Sequence, residues 1–335
     1  MNNSLPQPFV AELLKATSAS RYETVETIQS LWSGYGQIQR GKLIGAATES
    51  VILKHVKPPN TQSHPRGWNS NRSHERKLRS YEVETHWYQH YSARCDSLCR
   101  ISRLICASQH DGEFLIALED LDEAGFPVRK STLSRSLIDA CLRWLAEFHA
   151  TFLGEQATGL WQTGTYWHLE TRPDELAAID DDDLKRAAPV IDAKLSNARY
   201  QTFVHGDAKL ANFCFARDCS TTDDPCVAAV DFQYVGGGCG MKDVAYFLGS
   251  CLRERELDQQ AASLLDAYFS HLRGAINRRR PEVDASALVR EWRELFHWAW
   301  TDFHRFLQGW SPGHWKTNSF SERIASDIVA QSLRS

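Results

Sequence analysis

One stretch constrains this chain more than any other: FVHGDAKLANFCF, residues 203–215. Apolar residues lead into it and out of it, and between them stand His205, Gly206, Asp207, Lys209 and Asn212. An exposed loop has no use for hydrophobic clamps at both ends. A loop that must hold charged groups in fixed places does, because its flanks tie it to a rigid core. A second apolar run, VAAV, ends on Asp231 in the triplet DFQ. A carboxylate able to take a proton, with an amide and a second carboxylate supplying hard oxygens, is the set that magnesium-assisted phosphoryl transfer needs. On this reading Asp207 orients and deprotonates an attacking hydroxyl, and Asn212 and Asp231 are the metal ligands.

Such chemistry also needs a cation near the α- and β-phosphates. Lys54 closes the β-branched run ESVILKHVK and is the candidate. It requires an anion to hold it. Glu84 on the following charged helix fits, and Glu82 and Glu75 on the same helix compete with it. Backbone must also approach the phosphates closely, which glycines permit. SGYGQ supplies Gly34 and Gly36 upstream, although a plain hairpin turn would use the same residues.

The rest of the chain supplies a setting for these groups. A short helix over 9–17 precedes two strand-like runs around Gly34 and Gly36, and a third strand over 49–57. Turn formers fill 58–73, which reads as a mobile loop. A charged amphipathic helix follows over 74–92, then two strands joined at Asp111-Gly112. From about 130 the period changes to that of helices, over 131–153, 241–253, 256–278 and 284–310. The expectation is an α+β chain of two parts: a strand-rich part over 1–118 and a helix-rich part over 119–335. The runs IDDDDLK and NRRRP read as solvated faces.

Length and composition exclude some classes. A chain of 335 residues exceeds what one small core organises. A formal net charge of -4 argues against a nucleic-acid partner. No apolar run approaches the ~18 residues that span a membrane, so no membrane partner is expected. The first residues lack the pattern of a signal peptide. The nine cysteines show no CxxC spacing and read as reduced thiols of a cytoplasmic protein.

Taken in order, SGYGQ, Lys54, Glu84, LEDL, HGDAKLAN and DFQ resemble the protein-kinase-like small-molecule phosphotransferases: aminoglycoside phosphotransferases, choline kinases and the ecdysteroid-kinase-like branch. VHGDAKLANF is similar to that family's catalytic loop. AVDFQYVGGGCGMKDVAYFL resembles its metal-binding segment and the helix after it, LIALEDL its hinge, LAEFHA the helix before the catalytic loop, and YEVETHWY the nucleotide-lobe helix. The resemblance covers roughly 25–255. It implies a bilobal fold, with a small antiparallel-sheet lobe and a larger helical lobe. It implies ATP and Mg²⁺ as cofactors, a small-molecule hydroxyl as acceptor, and a phosphate monoester and ADP as products. It also implies a hinge at Glu119–Leu121 that offers backbone groups to adenine. Glu84 is preferred over its competitors because Tyr88 lies one turn on, as in the family pattern. Asp243 is implied to buttress the catalytic loop, and His205 to hold it rather than act as base. Lys209 stands where protein kinases carry the lysine of HRDLKxxN, which implies a contact to the transferred phosphate; an exposed lysine is the other reading. Two rival classes stay open: a pseudokinase-like nucleotide-binding module, and a metal-dependent hydrolase built on His205, Asp207 and Asp231. The hydrolase leaves Lys54, Glu84 and the hinge without a role.

The acceptor is not legible. In the stretch ALVREWRELFHWAWTDFHRFLQGW, Phe296, Trp300, Phe303, Leu307 and Trp310 fall at helical spacing and read as a core stripe. His297, Thr301, His304 and Gln308 form a second face, either solvated or lining a pocket. Aromatic residues near an acceptor hold a quaternary ammonium by cation–π contact or cover an apolar ring. Choline-like, aminoglycoside-like and steroid-like alcohols all stay open.

Overall fold

The computed structural model describes residues 5–31, 34–58, 71–219 and 226–334. Contacts divide the chain into two compact units: Met1–Arg94 with Ile101–Val128, and Cys95–Arg100 with Arg129–Ser335.

The first unit is built on helix α1 (Gln7–Thr17), strands β1 (Arg21–Ser30), β2 (Gly36–Ile44) and β3 (Ser50–Val56), helix α2 (Asn71–His90), and strands β4 (Leu104–His110) and β5 (Glu113–Glu119). The strands form one sheet in the order β1-β2-β3-β5-β4, with every neighbouring pair antiparallel. The two-residue alternation of a strand sorts the side chains onto two faces. Val51 and Leu53 of β3, with Leu115 and Ala117 of β5, pack against Phe9 and Leu13 of α1. Val56 and Phe114 have the opposite parity and pack against Tyr81 of α2. Lys54 shares the parity of Val56, so β3 presents it to α2. Of the loop expected over 58–73, residues 59–70 lie outside the described residues; 71–73 form the first turn of α2.

The second unit is mostly helical: α3 (Arg135–Thr151), α4 (Pro173–Ala177), α5 (Asp182–Ser196), α6 (Met241–Cys251), α7 (Glu254–Arg279), α8 (Ala285–Trp310) and α9 (Ser319–Ser332). Four three-residue strands, β6 (Thr202–Val204), β7 (Phe213–Phe215), β8 (Val227–Ala229) and β9 (Gly236–Gly238), pair as β6 with β9 and β7 with β8. The segment Cys95–Arg100 belongs here for a visible reason. The Arg100 carbonyl accepts from Ala229 N (3.0 Å) and Trp144 Nε1 (2.9 Å), and Asp96 accepts from Arg279.

Two expectations need correction, on NRRRP and on the cysteines, whereas the aspartates of IDDDDLK are exposed as expected. The run NRRRP is not simply solvated: Arg278 and Arg279 both reach the buried carboxylate of Glu147, and Arg280 pairs with Glu155. A buried carboxylate must be paired, and this arginine cluster supplies the charge. In IDDDDLK, Asp181 caps α5 by accepting from the Asp183 and Leu184 amides. The cysteines are not all free thiols: Cys219 and Cys226 form a disulfide, their Cα atoms 5.2 Å apart, and the other seven are free. Sequence spacing alone does not reveal a pair brought together by the pairing of β7 with β8.

Helix α8 carries its aromatic stripe inward as expected, with Phe296, Trp300, Phe303 and Leu307 buried. Trp310, at its end, is 40% exposed. The polar second face is not one surface. His297 is exposed, whereas Thr301 and His304 are buried, because α5, α6 and α9 pack around this helix.

Candidate active site

The loop after β6 is held from α6. Asp243 in the first turn of α6 accepts from His205 N (2.6 Å) and Gly206 N (3.0 Å), and His149 Nε2 lies 3.2 Å from the same carboxylate. Ser250 Oγ, two turns on, accepts from Leu210 N at 2.9 Å. Gly206 adopts φ 79°, and a Cβ there would stand 2.1 Å from the Tyr234 carbonyl oxygen, so only glycine fits. The buried His205 ring accepts from Asp207 N at Nδ1 (3.3 Å) and faces the Val230 carbonyl with Nε2 (3.0 Å). One ring nitrogen is engaged within the loop and the other by the residue after β8, which gives His205 a holding role.

Asp207 is the focus of what this loop holds. Its Oδ2 accepts from Lys209 Nζ (2.7 Å) and Asn212 Nδ2 (3.1 Å), and its Oδ1 from the Tyr246 hydroxyl (3.2 Å). Burial raises its pKa above the ordinary carboxylate range; the Lys209 ammonium opposes that rise and the Asp231 charge adds to it. Burial alone would lower the pKa of Lys209, but the Asp207 carboxylate outweighs it, and the net shift is upward.

Asn212 donates its amide to Asp207 twice, to the carboxylate and to the backbone carbonyl (2.8 Å). The amide nitrogen is thereby committed, which leaves the amide oxygen as the free donor atom. The β7–β8 pairing continues past Phe213 and Ala229: Val230 N donates to the Asn212 carbonyl at 3.0 Å, so Asp231 follows directly beside Asn212. Asp231 sits in the left-handed region at φ 71°, a conformation non-glycine residues seldom adopt and one that recurs at ligand sites. Asn212 and Asp231, neighbours at the end of the β7–β8 pairing, offer an amide oxygen and a carboxylate, hard donors of the kind magnesium takes. The residues fit the metal.

The first unit holds the other expected group. Lys54 Nζ lies 2.6 Å from Glu84 Oε2, both side chains almost fully buried, and 5.8 Å from the Tyr81 ring centroid. Gly34 and Gly36 form the turn between β1 and β2. At Gly36 a Cβ would meet the His55 carbonyl oxygen at 2.1 Å, so β3 demands glycine there; Gly34 has open space around it. Tyr35 between them is buried and hydrogen bonds His74. Glu119 ends β5, its carboxylate accepting from Arg103 N at 3.1 Å, and Leu121 is buried.

Asp207, Lys209, Asn212 and Asp231 are thus gathered in the second unit, and Lys54 and Glu84 are paired in the first. Sequence reasoning missed Tyr246, although a signal existed: it stands three residues after Asp243, on the same side of α6. It also missed Asp120, which accepts from Arg40 Nε (2.7 Å) and Ser50 Oγ (2.6 Å) and pins the stretch Glu119–Leu121 to the sheet.

The sequence pattern of the phosphotransferase enzyme family matches residues 35–282, and the chain belongs to that family. Its antiparallel five-stranded sheet and its mostly helical second unit are the expected α+β organisation. Solved structures that resemble it include a microcompartment-associated aminopropanol kinase, 14% identical over 98% of this chain and 97% of that one, with a TM-score of 0.49. The amicoumacin kinase hAmiN, in complex with AMP-PNP and Ca²⁺, is 13% identical over 98% and 93% with a TM-score of 0.47. The aminoglycoside 2'-phosphotransferase-IIIa, in its GDP complex, is 12% identical over 99% of both chains with a TM-score of 0.49. No curated protein sequence matches the chain. Among the described residues, no helix is long and apolar enough to cross a membrane.

Proposed function

We propose that this phosphotransferase is a small-molecule kinase, using ATP and Mg²⁺ to phosphorylate a hydroxyl group. The observation that carries the reading is the buried Asp207 carboxylate, with both oxygens held and its basicity raised by burial. A base of raised pKa suits removal of a hydroxyl proton near neutral pH.

The acceptor hydroxyl hydrogen bonds Asp207 and gives up its proton to that carboxylate as its oxygen bonds to the γ-phosphorus. The bond from that phosphorus to the β–γ bridging oxygen breaks, and ADP leaves. Tyr246 and Asn212 keep the carboxylate in one orientation, which limits the reorganisation the reaction requires. Lys209 places a positive charge beside the reacting oxygen. In this reading Lys54, fixed by Glu84, takes the α- and β-phosphates, Gly34 and Gly36 let backbone approach them, and the backbone of Glu119–Leu121 meets adenine. Asn212 and Asp231 would hold Mg²⁺, which when bound neutralises phosphate charge. A cytoplasmic site of action suits the seven free cysteines, and there the Cys219–Cys226 pair would be kept reduced.

The test is ADP release against a panel of hydroxyl compounds, with Mg²⁺ titrated. The wild-type protein should need Mg²⁺, and Asp231→Ala should raise the Mg²⁺ concentration required and lower turnover. An unchanged Mg²⁺ requirement in that variant would remove Asp231 from the metal site.

A further inference from the structure

Two of the partners of Tyr246 are charged. Its hydroxyl donates to Asp207 Oδ1, and its ring lies under the ammonium of Lys316, with Nζ 4.5 Å from the ring centroid. The same ammonium lies 5.2 Å from the Phe303 centroid and 5.8 Å from that of Trp315. Three π-faces around one cation make an ammonium site, and the chain fills it with its own lysine.

The lysine is held in place. It stands between α8 and α9, where His314 N donates to Ser311 O (2.9 Å), Thr317 N to His314 O (2.8 Å) and Lys316 N to His314 Nδ1 (3.2 Å). The Lys316 carbonyl accepts from Ser321 Oγ (3.0 Å), and that oxygen accepts from Trp300 Nε1 (3.0 Å). No carboxylate of the described residues lies within ion-pair distance of Nζ. Aromatic faces stabilise the cation but cannot neutralise it. Burial lowers its pKa to about 8, Asp207 pulls the value up and Lys209 pushes it down. Lys209 already pairs with Asp207, and the Asp231 charge also acts on Lys209, so Lys316 has no carboxylate to itself. A third cation, Arg253, lies 4.0 Å over the Trp315 ring.

We propose that the acceptor is a small anionic alcohol whose carboxylate or phosphate is taken by Lys316, and that Lys316 excludes ammonium-bearing acceptors from this site. The inference rests on the reading of Asp207 as the base for a hydroxyl acceptor. Because one tyrosine separates Lys316 from Asp207, the anion and the phosphorylated hydroxyl lie a few bonds apart in the acceptor. An acceptor with an ammonium group would have to displace Lys316 from its three rings or stand beside two lysines.

The experiment measures binding to the full chain in the presence of Mg²⁺ and AMP-PNP, with probes matched in length: 4-hydroxybutanoate, 1,4-butanediol and 4-amino-1-butanol. Glycerol 3-phosphate is the phosphate-bearing arm and separates that anion from a carboxylate. At least one anionic probe should bind ~10-fold or more tightly than the diol, and the amine more weakly than the diol. Lys316→Met should bring the anionic probe to the level of the diol, Lys316→Arg should keep the preference, and Lys316→Glu should reverse it toward the amine. Equal binding of all probes, no binding of any, or tightest binding of the amine overturns the proposal. So does a preference that survives Lys316→Met in a variant that melts like the wild type. ADP release with water as acceptor reads the kinase assignment separately. A protein that hydrolyses Mg·ATP but shows no charge preference keeps that assignment and loses this one.

Discussion

Tyr246 donates its hydroxyl to Asp207 Oδ1 at 3.2 Å from the helix whose Asp243 holds the backbone of the same loop. One turn of α6 therefore fixes both the position of the loop and the direction of its carboxylate. Removing the hydroxyl takes one donor from a buried anion, so the protonated form of Asp207 gains. Hydrogen bonds to charged groups contribute about 1.5–3 kcal/mol, and one pKa unit is about 1.4 kcal/mol. Tyr246→Phe should move the acid limb of the kcat/KM profile up by about one pH unit, with most of the rate recovered at alkaline pH. An acid limb that stays in place would show that the proton is taken elsewhere.

Asp207→Asn should lower turnover by ~100-fold or more, the usual contribution of a positioned base, with nucleotide affinity nearly kept. The same variant tests the electrostatics through stability. Asp207 holds its proton to higher pH when folded than when unfolded. Between those two pKa values the folded state binds more protons, so its stability falls as pH rises. The melting temperature of Asp207→Asn relative to wild type should therefore increase with pH from the ordinary carboxylate range upward. A difference that is flat with pH would mean that the native carboxylate is not strained by burial.

The distribution of what the sequence revealed follows from how these contacts are made. Asp207, Asn212 and Asp231 were legible because one short loop and one strand pair bring them together, so their spacing encodes their geometry. Lys54 and Glu84 lie thirty residues apart, yet strand parity and helix period each point them one way, and the structure pairs them. Tyr246 was less visible because a tyrosine on an apolar helix face reads as core, and its ring is indeed core. Lys316 was invisible: its partners come from α6, α8 and the turn after α8, and no local period links them. The inward turn of NRRRP was hidden for the same reason, since its anion, Glu147, lies on α3.

The pair of Lys54 and Glu84 is buried, so each charge depends on the other. Removing one partner of a buried pair costs about 3–5 kcal/mol, because the remaining charge stays in a poor solvent. At about 2.1 cal/mol/K of unfolding entropy per residue, each kcal/mol moves Tm by roughly 1.4 °C in a chain of 335 residues. Glu84→Gln should lower Tm by at least ~4 °C. Replacing both, as Lys54→Met with Glu84→Leu, should recover most of that loss and still abolish phosphotransfer. Recovered activity in the double variant would make the pair purely structural.

Lys209 allows two roles, and pH separates them. Its ammonium lies 2.7 Å from Asp207 Oδ2 and helps to keep that carboxylate ionised. If that were its whole role, Lys209→Ala would raise the pKa of Asp207, shift the acid limb upward and leave the alkaline plateau of kcat intact. The side chain is also 39% exposed, so its end is accessible from the side open to solvent. A fixed ammonium there stabilises charge that shifts during phosphoryl transfer, and that contribution does not depend on the ionisation of Asp207. We expect both effects: an upward shift of the acid limb, and a loss of ~10-fold or more in kcat that persists on the alkaline plateau at saturating ATP, with modest change in the KM for ATP. Full recovery at alkaline pH would confine Lys209 to tuning Asp207 and take it out of contact with the transferred phosphate.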